Sequence, residues 1–549
     1  MAMRWMKTFL SWSGIAAAAI VALSLVASVP AYANDHGRHG VPTQPEWWTG
    51  YNFKLGQYYL APGYPAYSEH PRFLGVLKGS WYEIGFQYGE RAGDLIQHTY
   101  EGWYEEILPR QYTNQNIVDY VRQQDAYYDA LVPEALEMMR GIADGAKPWL
   151  DTAKYADMMT NYEKVLMINS YFGLQQRAPV AAALDPSPPS TAGAGDGYNC
   201  SGAVIFGNAT RDGRLIHVSS EDQHFFPQEY LVAFIVEPSD PRAHRYTITD
   251  TAGEIGSEQA INEHGVVVSG YAGGGTDIGS PTFAEPFSGY RRPGLDWQVG
   301  DFYATAFAKT AREAVQLLTV GRPEYREKSG MKIVVGKCGK GANWVVSDRR
   351  EGFVVESIPA DLDGVARYAV RNPGDMGEIG ANYIVSTNQV EADYSCDEFG
   401  QCSTAHPLRL HGNSEQGANY FGLSGSGQRF HTLMWLIQNN YGKIDREMVQ
   451  TWRRTHFFYD KGGTRHDAIL YPETGQTYPT HLTPGAGVLC RHSTSSSTPG
   501  VDTLSGINIY VSLSTPHDRT IYRTVGRPCE WMGPWDALSL RRHGDRDDD

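Results

Sequence analysis

The sequence predicts a layered fold of helices and strands, of the α/β or the α+β class. Helical spacing of apolar residues dominates before residue 200, and short β-type runs dominate after it. Helical patterns interrupt the later strands in separate blocks rather than after every strand. With 549 residues, 41% of them hydrophobic and 20% charged, the chain is globular and forms one large or two ordinary domains.

The first residues predict a secretory signal peptide over residues 1–33. Arg4 and Lys7 precede an apolar run over residues 15–29, and Ala31-Tyr32-Ala33 fits a cleavage site. An uncleaved anchor is the alternative, but the run is short for a membrane span and no later segment is long and apolar enough to be one. We therefore expect a secreted chain, extracellular or periplasmic, that starts at Asn34.

Residues 34–199 predict a mainly helical segment that ends in a linker. Residues 34–70 are polar and aperiodic, which indicates a surface arm, and residues 73–79 are typical of a strand. Helical spacing then runs from Tyr82 to about residue 172. Residues 179–196, rich in Pro, Ala, Ser and Gly, form the linker.

From residue 200 onward the chain predicts mostly strands. Residues 201–206 and 215–218 flank the turn Arg211-Asp212-Gly213-Arg214, and Asp-Gly between two such runs indicates a hairpin. Further strands are predicted at residues 231–236, 265–269, 332–335, 344–346, 353–355, 383–385, 488–490 and 507–511. Helices are predicted at residues 303–318, 428–438 and 445–455.

Cys200 begins the hairpin directly after the linker. A cut between Asn199 and Cys200 would make this cysteine a new N-terminus. The cysteine thiolate is the nucleophilic form, and a freed α-amine with a pKa of about 7.7–8.0 can accept the thiol proton. The alternative interpretation is a buried structural cysteine or a disulfide partner.

The other cysteines and the histidines predict disulfide and structural roles rather than a metal centre. Cys396 and Cys402 flank a short polar loop and are the best candidates for a disulfide, whereas pairing of Cys490 with Cys529 stays open. We find no P-loop, dinucleotide-binding or H-E-x-x-H motif, and we expect no metal ion and no cofactor. The histidines considered as ligands, and interpreted as structural or surface residues, are His217, His224, His264 and His431.

The motifs around and beyond Cys200 resemble those of N-terminal nucleophile (Ntn) hydrolases. In order they are GSWYEIGFQYG at 79–89, GIADG at 141–145, the Cys200 hairpin, INEHGV at 261–266, STN at 386–388, GQRF at 427–430 and LCRH at 489–492. The resemblance covers about residues 73–530 and is greatest to the penicillin acyltransferase-like family, with choloylglycine hydrolases and penicillin V acylases as more distant relatives.

This resemblance implies an α+β fold, a four-layer αββα sandwich with a mostly helical N-terminal chain. It implies that the precursor cuts itself between Asn199 and Cys200, giving an N-terminal chain of residues 34–199 and a catalytic chain of residues 200–549. It also implies hydrolysis or transfer of the acyl group of a linear amide through a thioester. The expected partners are a small N-acyl amide or a short peptide, and the chain's own N-terminal part.

The resemblance also implies roles for individual residues. Cys200 would be the nucleophile, and Asp222 on the second hairpin strand would hold its α-ammonium by a charge-assisted hydrogen bond. Asn388 would donate to the oxyanion, as would a backbone N–H near Tyr271 or Ala272, and Arg429 would brace the nucleophile.

The chain departs from the family's pattern at one position. The related enzymes often have an arginine three residues before the aspartate, where this chain has Ser219. That departure puts in doubt how the thiolate is stabilised. His217 and Glu221 lie nearby in the sequence and have no assigned role.

Two other functions remain open from the sequence. The first is a secreted dipeptidase-like Ntn peptidase, although about 166 residues precede the cysteine here and such enzymes usually begin near theirs. The second is a non-catalytic, aromatic-rich binding protein on the same scaffold, consistent with an aromatic content of 12%. A net charge of −15 argues against nucleic acid as a partner.

Overall fold

A computed structural model shows how these segments are arranged. The residues that it describes are 51–54, 70–107, 114–171, 200–224, 226–272, 294–322, 342–358, 367–375, 381–397, 400–405, 407–408, 425–471, 476–479, 488–491, 505–531 and 533–542. The predicted signal peptide, the linker, Asn199 and the strand at residues 332–335 lie outside the described residues.

Nine α-helices and twenty-one strands occur within these ranges. The helices are α1 (Trp81–Ile107), α2 (Asn114–Leu131), α3 (Pro133–Gly145), α4 (Lys147–Leu150), α5 (Asn161–Ile168), α6 (Trp297–Phe307), α7 (Ala311–Thr319), α8 (Gly425–Asn439) and α9 (Arg446–Trp452). The strands are β1 (Tyr51–Lys54), β2 (Arg72–Gly79), β3 (Ser201–Gly207), β4 (Gly213–His224), β5 (Leu231–Pro238), β6 (Tyr246–Thr251), β7 (Ala260–Ile261), β8 (Val267–Ala272), β9 (Ala342–Ser347), β10 (Gly352–Ile358), β11 (Arg367–Arg371), β12 (Tyr383–Thr387), β13 (Ser395–Cys396), β14 (Cys402–Ser403), β15 (Phe458–Tyr459), β16 (Arg465–His466), β17 (Ala468–Tyr471), β18 (Gln476–Pro479), β19 (Ser505–Thr515), β20 (Thr520–Val525) and β21 (Asp536–Arg542).

The strands form two large sheets and three small ones. The first large sheet has the order β1-β21-β20-β19-β4-β3-β12, and the second has the order β14-β13-β11-β10-β9-β8-β7. The small sheets are β2-β5-β6 and the hairpins β15-β16 and β17-β18. Among the described pairs only β2 with β5 is parallel. Mainly antiparallel sheets with helices in separate blocks confirm the α+β class.

The two large sheets face each other, and their strands alternate between this interface and the helices. His217 on β4 crosses the interface, hydrogen-bonded to Ser347 on β9 at 2.8 Å and to Ser269 on β8 at 3.0 Å. On β3, Val204 faces Gly352 of β10, whereas its neighbour Ala203 packs in the cluster that contains helix α8. Successive side chains of a strand point to opposite faces, so a strand between a sheet and a helix layer buries side chains on both of them.

Helices cover the outer faces of both large sheets. Helix α8 contacts β3 and β12 of the first sheet, and α6 and α7 contact β8, β9 and β10 of the second. On β8, Gly270 lies against Asp301 of α6, while the adjacent Tyr271 points inward to Gly202 of β3. The hairpin that begins at Cys200 is therefore enclosed between a second sheet and a helix layer.

The N-terminal helices pack closely because glycines line the contact between α1 and α3. A Cβ at Gly85 would lie 2.0 Å from the Met138 carbonyl oxygen, and a Cβ at Gly141 would lie 2.1 Å from the Tyr82 oxygen. Such a distance leaves no room for a methyl group, so both positions require glycine. The mainly helical character predicted from Tyr82 onward is confirmed for the described residues up to 171.

Several predictions from the sequence need correction. Residues 34–70 were expected to form only a surface arm, but β1 within them pairs with β21 at the end of the first large sheet. The helix predicted at residues 303–318 is two helices, because Thr310 accepts a hydrogen bond from the Glu313 N–H and starts α7. No strand forms at Val488–Cys490, because there the Cys490 N–H bonds to Thr455 in the segment after α9.

Two further predictions can be compared with the described residues. A disulfide joins Cys396 to Cys402, as their spacing predicted. In the part of the chain that the structure describes, no helix combines the length and the apolarity that a membrane crossing needs.

We predict that Gly141→Ala lowers the free energy of unfolding by about 1–3 kcal/mol, the usual cost of forcing extra atoms into a packed contact. Urea unfolding monitored by circular dichroism measures the change. Gly462→Ala is the matched control, because the nearest atom to its added Cβ is a side-chain oxygen of Asp460 at 3.4 Å. Equal stabilities of the two variants would contradict the close approach of α1 and α3.

Candidate active site

Cys200 is completely buried at the start of β3, where the first sheet meets the second. Burial raises the pKa of its thiol to about 12, and the nearby carboxylates of Asp222 and Glu221 add to the rise. The backbone N–H of Asp222 and the guanidinium of Arg429 act in the opposite direction. With its nitrogen in a peptide bond, Cys200 is therefore a neutral thiol at neutral pH.

Asp222, singled out in the sequence, lies on β4, and both its carboxylate and its backbone N–H interact with Cys200. Its Oδ1 accepts a hydrogen bond of 2.6 Å from Asn508 Nδ2, and its Oδ2 is 3.9 Å from Arg491 Nε. Burial raises the pKa of Asp222 to about 6, against the lowering effect of nearby guanidiniums. Oδ2 accepts no hydrogen bond from the described residues, so this buried oxygen can still bind a cation.

Arg429 on α8 connects two other residues singled out in the sequence. Its Nη2 donates to Asn388 Oδ1 at 2.7 Å and to the carbonyl oxygen of Cys200 at 3.4 Å. Its side chain is completely buried, and burial lowers its pKa to about 10, which leaves it charged at neutral pH. Since Asn388 uses its oxygen to bind Arg429, its Nδ2 is the end that can donate to a substrate oxyanion.

The segment that carries Asn388 is held in place from the second sheet. Asn343 on β9 donates from Nδ2 to the carbonyl oxygens of Thr387 at 2.9 Å and Gln389 at 2.8 Å, on either side of Asn388. Ser426, on the first turn of α8, also donates to the Thr387 hydroxyl at 2.9 Å. Asn343 was not singled out in the sequence, because only the assembled sheets bring it next to Asn388.

Tyr271 and Ala272 are the last two residues of β8, and the Tyr271 side chain points toward the first sheet. A Cβ at Gly202 would lie 1.9 Å from the Tyr271 hydroxyl oxygen, so the ring packs directly on the strand that begins after Cys200. Burial raises the pKa of Tyr271, which keeps its hydroxyl neutral. The oxyanion role of the Tyr271 or Ala272 N–H stays a prediction.

Two buried arginines that the sequence interpretation left without a role complete the site. Arg453, just after α9, donates from Nη1 to the Ser201 hydroxyl at 2.8 Å and from Nη2 to the Ser201 carbonyl at 2.6 Å. Arg491 lies beside Asp222, and its Nε and Nη1 have no hydrogen-bond acceptor among the described residues. Both guanidiniums add positive charge to the buried surroundings of Asp222.

The sequence neighbours of Asp222 face the other way, into the sheet interface. Five carboxyl groups on β4 and on the elements around it are buried, and burial is the main cause that raises the pKa of each. They are Glu221, Asp250, Glu254, Glu258 and Asp301. Burial also lowers the pKa of His217 to about 3, so that this histidine is neutral and bridges the sheets rather than acting as a base.

The arrangement can support nucleophilic chemistry once an amine is available at Cys200. A thiol, an amide donor, a carboxylate with an unused oxygen and three buried guanidiniums surround the start of one strand. Groups of this kind stabilise a developing oxyanion most effectively where water is excluded. The carboxylate would hold the ammonium that forms when the amine takes the thiol proton.

Comparison with known proteins leaves the activity to be inferred from this geometry. No protein-family model matches the chain. An uncharacterized protein from Archaeoglobus fulgidus is 26% identical over 401 residues, covering 70% of this chain and 58% of that protein, so the chain spans less than two thirds of this relative's length. A C2A mutant of the conjugated bile acid hydrolase from Clostridium perfringens aligns at 11% identity and a TM-score of 0.28, over 59% of this chain and 89% of that one.

We predict that, in the uncut chain with Cys200→Ala, Arg491→Gln raises the pKa of Asp222 above about 6, because Arg491 is the strongest of the nearby groups that lower it. The infrared carboxylate band of Asp222, identified by difference from Asp222→Asn, should then disappear at a higher pH. Since the folded pKa exceeds the unfolded value of about 3.9, folding stability falls as pH rises through this window. In Arg491→Gln that fall should extend to higher pH.

Arg454→Gln is the matched control for this measurement. Arg454 is half-buried and donates to the Gly533 carbonyl at 3.3 Å, and it is not among the cations that lower the pKa of Asp222. Its replacement should leave the Asp222 titration unchanged. Identical titrations in both variants would show that Arg491 does not interact with Asp222.

Proposed function

We propose that this protein is a self-processing N-terminal nucleophile hydrolase or acyltransferase that uses Cys200 to cleave linear amide bonds. The observation that carries the proposal is the convergence of Cys200, Asp222, Asn388 and Arg429, which span more than 200 residues of sequence, at the buried start of β3. Two facing sheets with helices outside each of them also fit the four-layer αββα sandwich that the sequence motifs imply.

Self-processing would convert an inert thiol into a nucleophile. Before the cut, the Cys200 nitrogen is an amide that cannot accept a proton, and burial disfavours the thiolate. A cut between Asn199 and Cys200 would free an α-amine whose pKa of about 7.7–8.0 suits proton transfer near neutral pH. The resulting ammonium would bind Asp222 Oδ2 and lower the pKa of that carboxyl.

The proposed catalytic cycle uses the freed amine and these side chains in turn. The Cys200 sulfur attacks the amide carbonyl, its proton passes to the α-amine, and Asn388 Nδ2 donates to the oxyanion. The ammonium returns the proton to the leaving amine, which departs and leaves a thioester on Cys200. Water or a second amine, activated by the same α-amine, releases the acyl group and restores the thiol.

We also propose that the protein acts outside the cytoplasm. Residues 1–33 have the pattern of a secretory signal, and the Cys396–Cys402 disulfide fits an oxidising compartment. The proposed substrates are small N-acyl amides and short peptides.

We predict that the purified protein consists of two chains, the second beginning at Cys200, and that Cys200→Ala stays uncut. Intact-mass spectrometry and N-terminal sequencing measure both outcomes. Thr152→Ala is the control, since this exposed residue lies in the turn after α4 and should leave the cut unaffected. An uncut native chain would overturn the proposal and favour the binding-protein alternative.

We further predict that Asn388→Ala lowers kcat on an N-acyl amide by about 10²–10³, the usual cost of losing one oxyanion donor. KM should change much less, because the donor acts mainly in the transition state. Steady-state kinetics on the processed variant provide the test. A raised KM with an unchanged kcat would mean that Asn388 binds the substrate and the transition state equally well. That result would exclude the oxyanion role.

A further inference from the structure

Away from the catalytic thiol, three side chains of metal-binding type converge from separate parts of the chain. They are His456, in the segment after α9, Cys490, and Cys529, which lies in a short 3₁₀ helix (Pro528–Glu530). One imidazole nitrogen and two sulfur atoms all lie within 4.8 Å of one another. More than 70 residues of sequence separate the first of these side chains from the last.

The backbone around the cluster fixes these segments next to each other. The Cys490 N–H donates to the carbonyl oxygen of Thr455, the residue before His456, at 3.1 Å. On the other side of Cys490, Arg491 and Asn508 of β19 bond to each other, with the Arg491 N–H donating to Asn508 Oδ1 at 2.6 Å. These hydrogen bonds place the segments of His456 and Cys490 next to each other, and Cys490 is completely buried.

We propose that His456, Cys490 and Cys529 bind one Zn²⁺ ion. Two thiolates and one imidazole are ligands that zinc prefers, and a set of three protein ligands leaves the fourth tetrahedral position to water. Binding releases one proton from each thiol to solvent and transfers no electron. The proposal departs from the expectation, drawn from the sequence, that the chain has no metal site.

The structure favours a metal site over a disulfide between the two cysteines. The same structure that joins Cys396 to Cys402 keeps Cys490 and Cys529 as thiols. A disulfide needs no imidazole beside its two sulfurs. A zinc ion, in contrast, can use the imidazole nitrogen that lies within 4.8 Å of both sulfurs as a third ligand.

A second cluster, formed by His244, Glu263 and His264, also has ligand atoms within 4.8 Å of one another. There, however, Glu263 is already bound to Arg245, with Oε2 2.7 Å from Nε and Oε1 accepting from the Arg245 N–H. A carboxylate committed to an arginine is a poor candidate for a metal ligand, so this cluster carries no proposal.

The zinc ion would hold segments of the neighbouring active site in place rather than contact a substrate. His456 follows Arg453 by three residues, and Cys490 directly precedes Arg491. One ion would therefore fix both segments that carry the buried guanidiniums beside Ser201 and Asp222. The zinc site does not depend on the proposed amide chemistry and can be tested without a substrate.

The test measures zinc bound to the full chain after reduction and removal of metals with a chelator. We expect one Zn²⁺ per chain by elemental analysis, and a thiolate-to-cobalt charge-transfer band when Co²⁺ replaces zinc. Cys490→Ser and Cys529→Ser should lower bound zinc to background. His466→Gln is the matched control, because His466 bonds to Asp460 and contributes no ligand; it should still bind one zinc.

A second measurement does not depend on the folding of any variant. Added Zn²⁺ should protect Cys490 and Cys529 of the unaltered chain from alkylation, and the chelator should reverse the protection. Peptide mapping of the protein purified without reductant provides the other arm. A native Cys490–Cys529 disulfide, zinc binding that survives both serine substitutions, or no zinc binding at all would each overturn the proposal.

Discussion

The burial of charge beside Cys200 is the constraint on which the rest of the site depends. Three guanidiniums, from Arg429, Arg453 and Arg491, are almost completely excluded from water, and each burial is costly unless the charge is paired or hydrogen-bonded. Asp222 offsets part of that charge, and the carbonyl oxygens of Cys200 and Ser201 accept hydrogen bonds from two of the arginines. Arginines from the C-terminal half therefore hold the start of β3 in place, so the site forms only when the whole fold is complete.

Local sequence signals predicted many of the elements but not all of the contacts. The hairpin from Cys200 follows from two apolar runs around Asp-Gly, whereas Asp222 was singled out through the resemblance to Ntn hydrolases. Arg453 and Asn343 could not be identified this way. An arginine just past a helix has the same local pattern whether it faces solvent or a buried carbonyl, and the role of Asn343 depends on how two sheets face each other.

The boundaries that sequence analysis missed have a similar origin. The break between α6 and α7 depends on a threonine cap within an otherwise continuous apolar pattern. Residues 488–490 are apolar enough for a strand, but Cys490 pairs with a loop residue and Arg491 turns toward Asp222. In both places a side-chain contact overrides the local preference of the chain.

The pairing of β1 with β21 and of β2 with β5 has a consequence for how the protein can be made. Residues before Cys200 supply an edge strand of one large sheet and share the main hydrophobic core with residues after it. A polypeptide that began at Cys200 would therefore emerge from the ribosome without the partners of its own strands and with that core exposed. Translation of one continuous message, with the N-terminal half made first, keeps both parts at high effective concentration. Any recombinant version should be expressed from a gene that encodes both halves in a single reading frame.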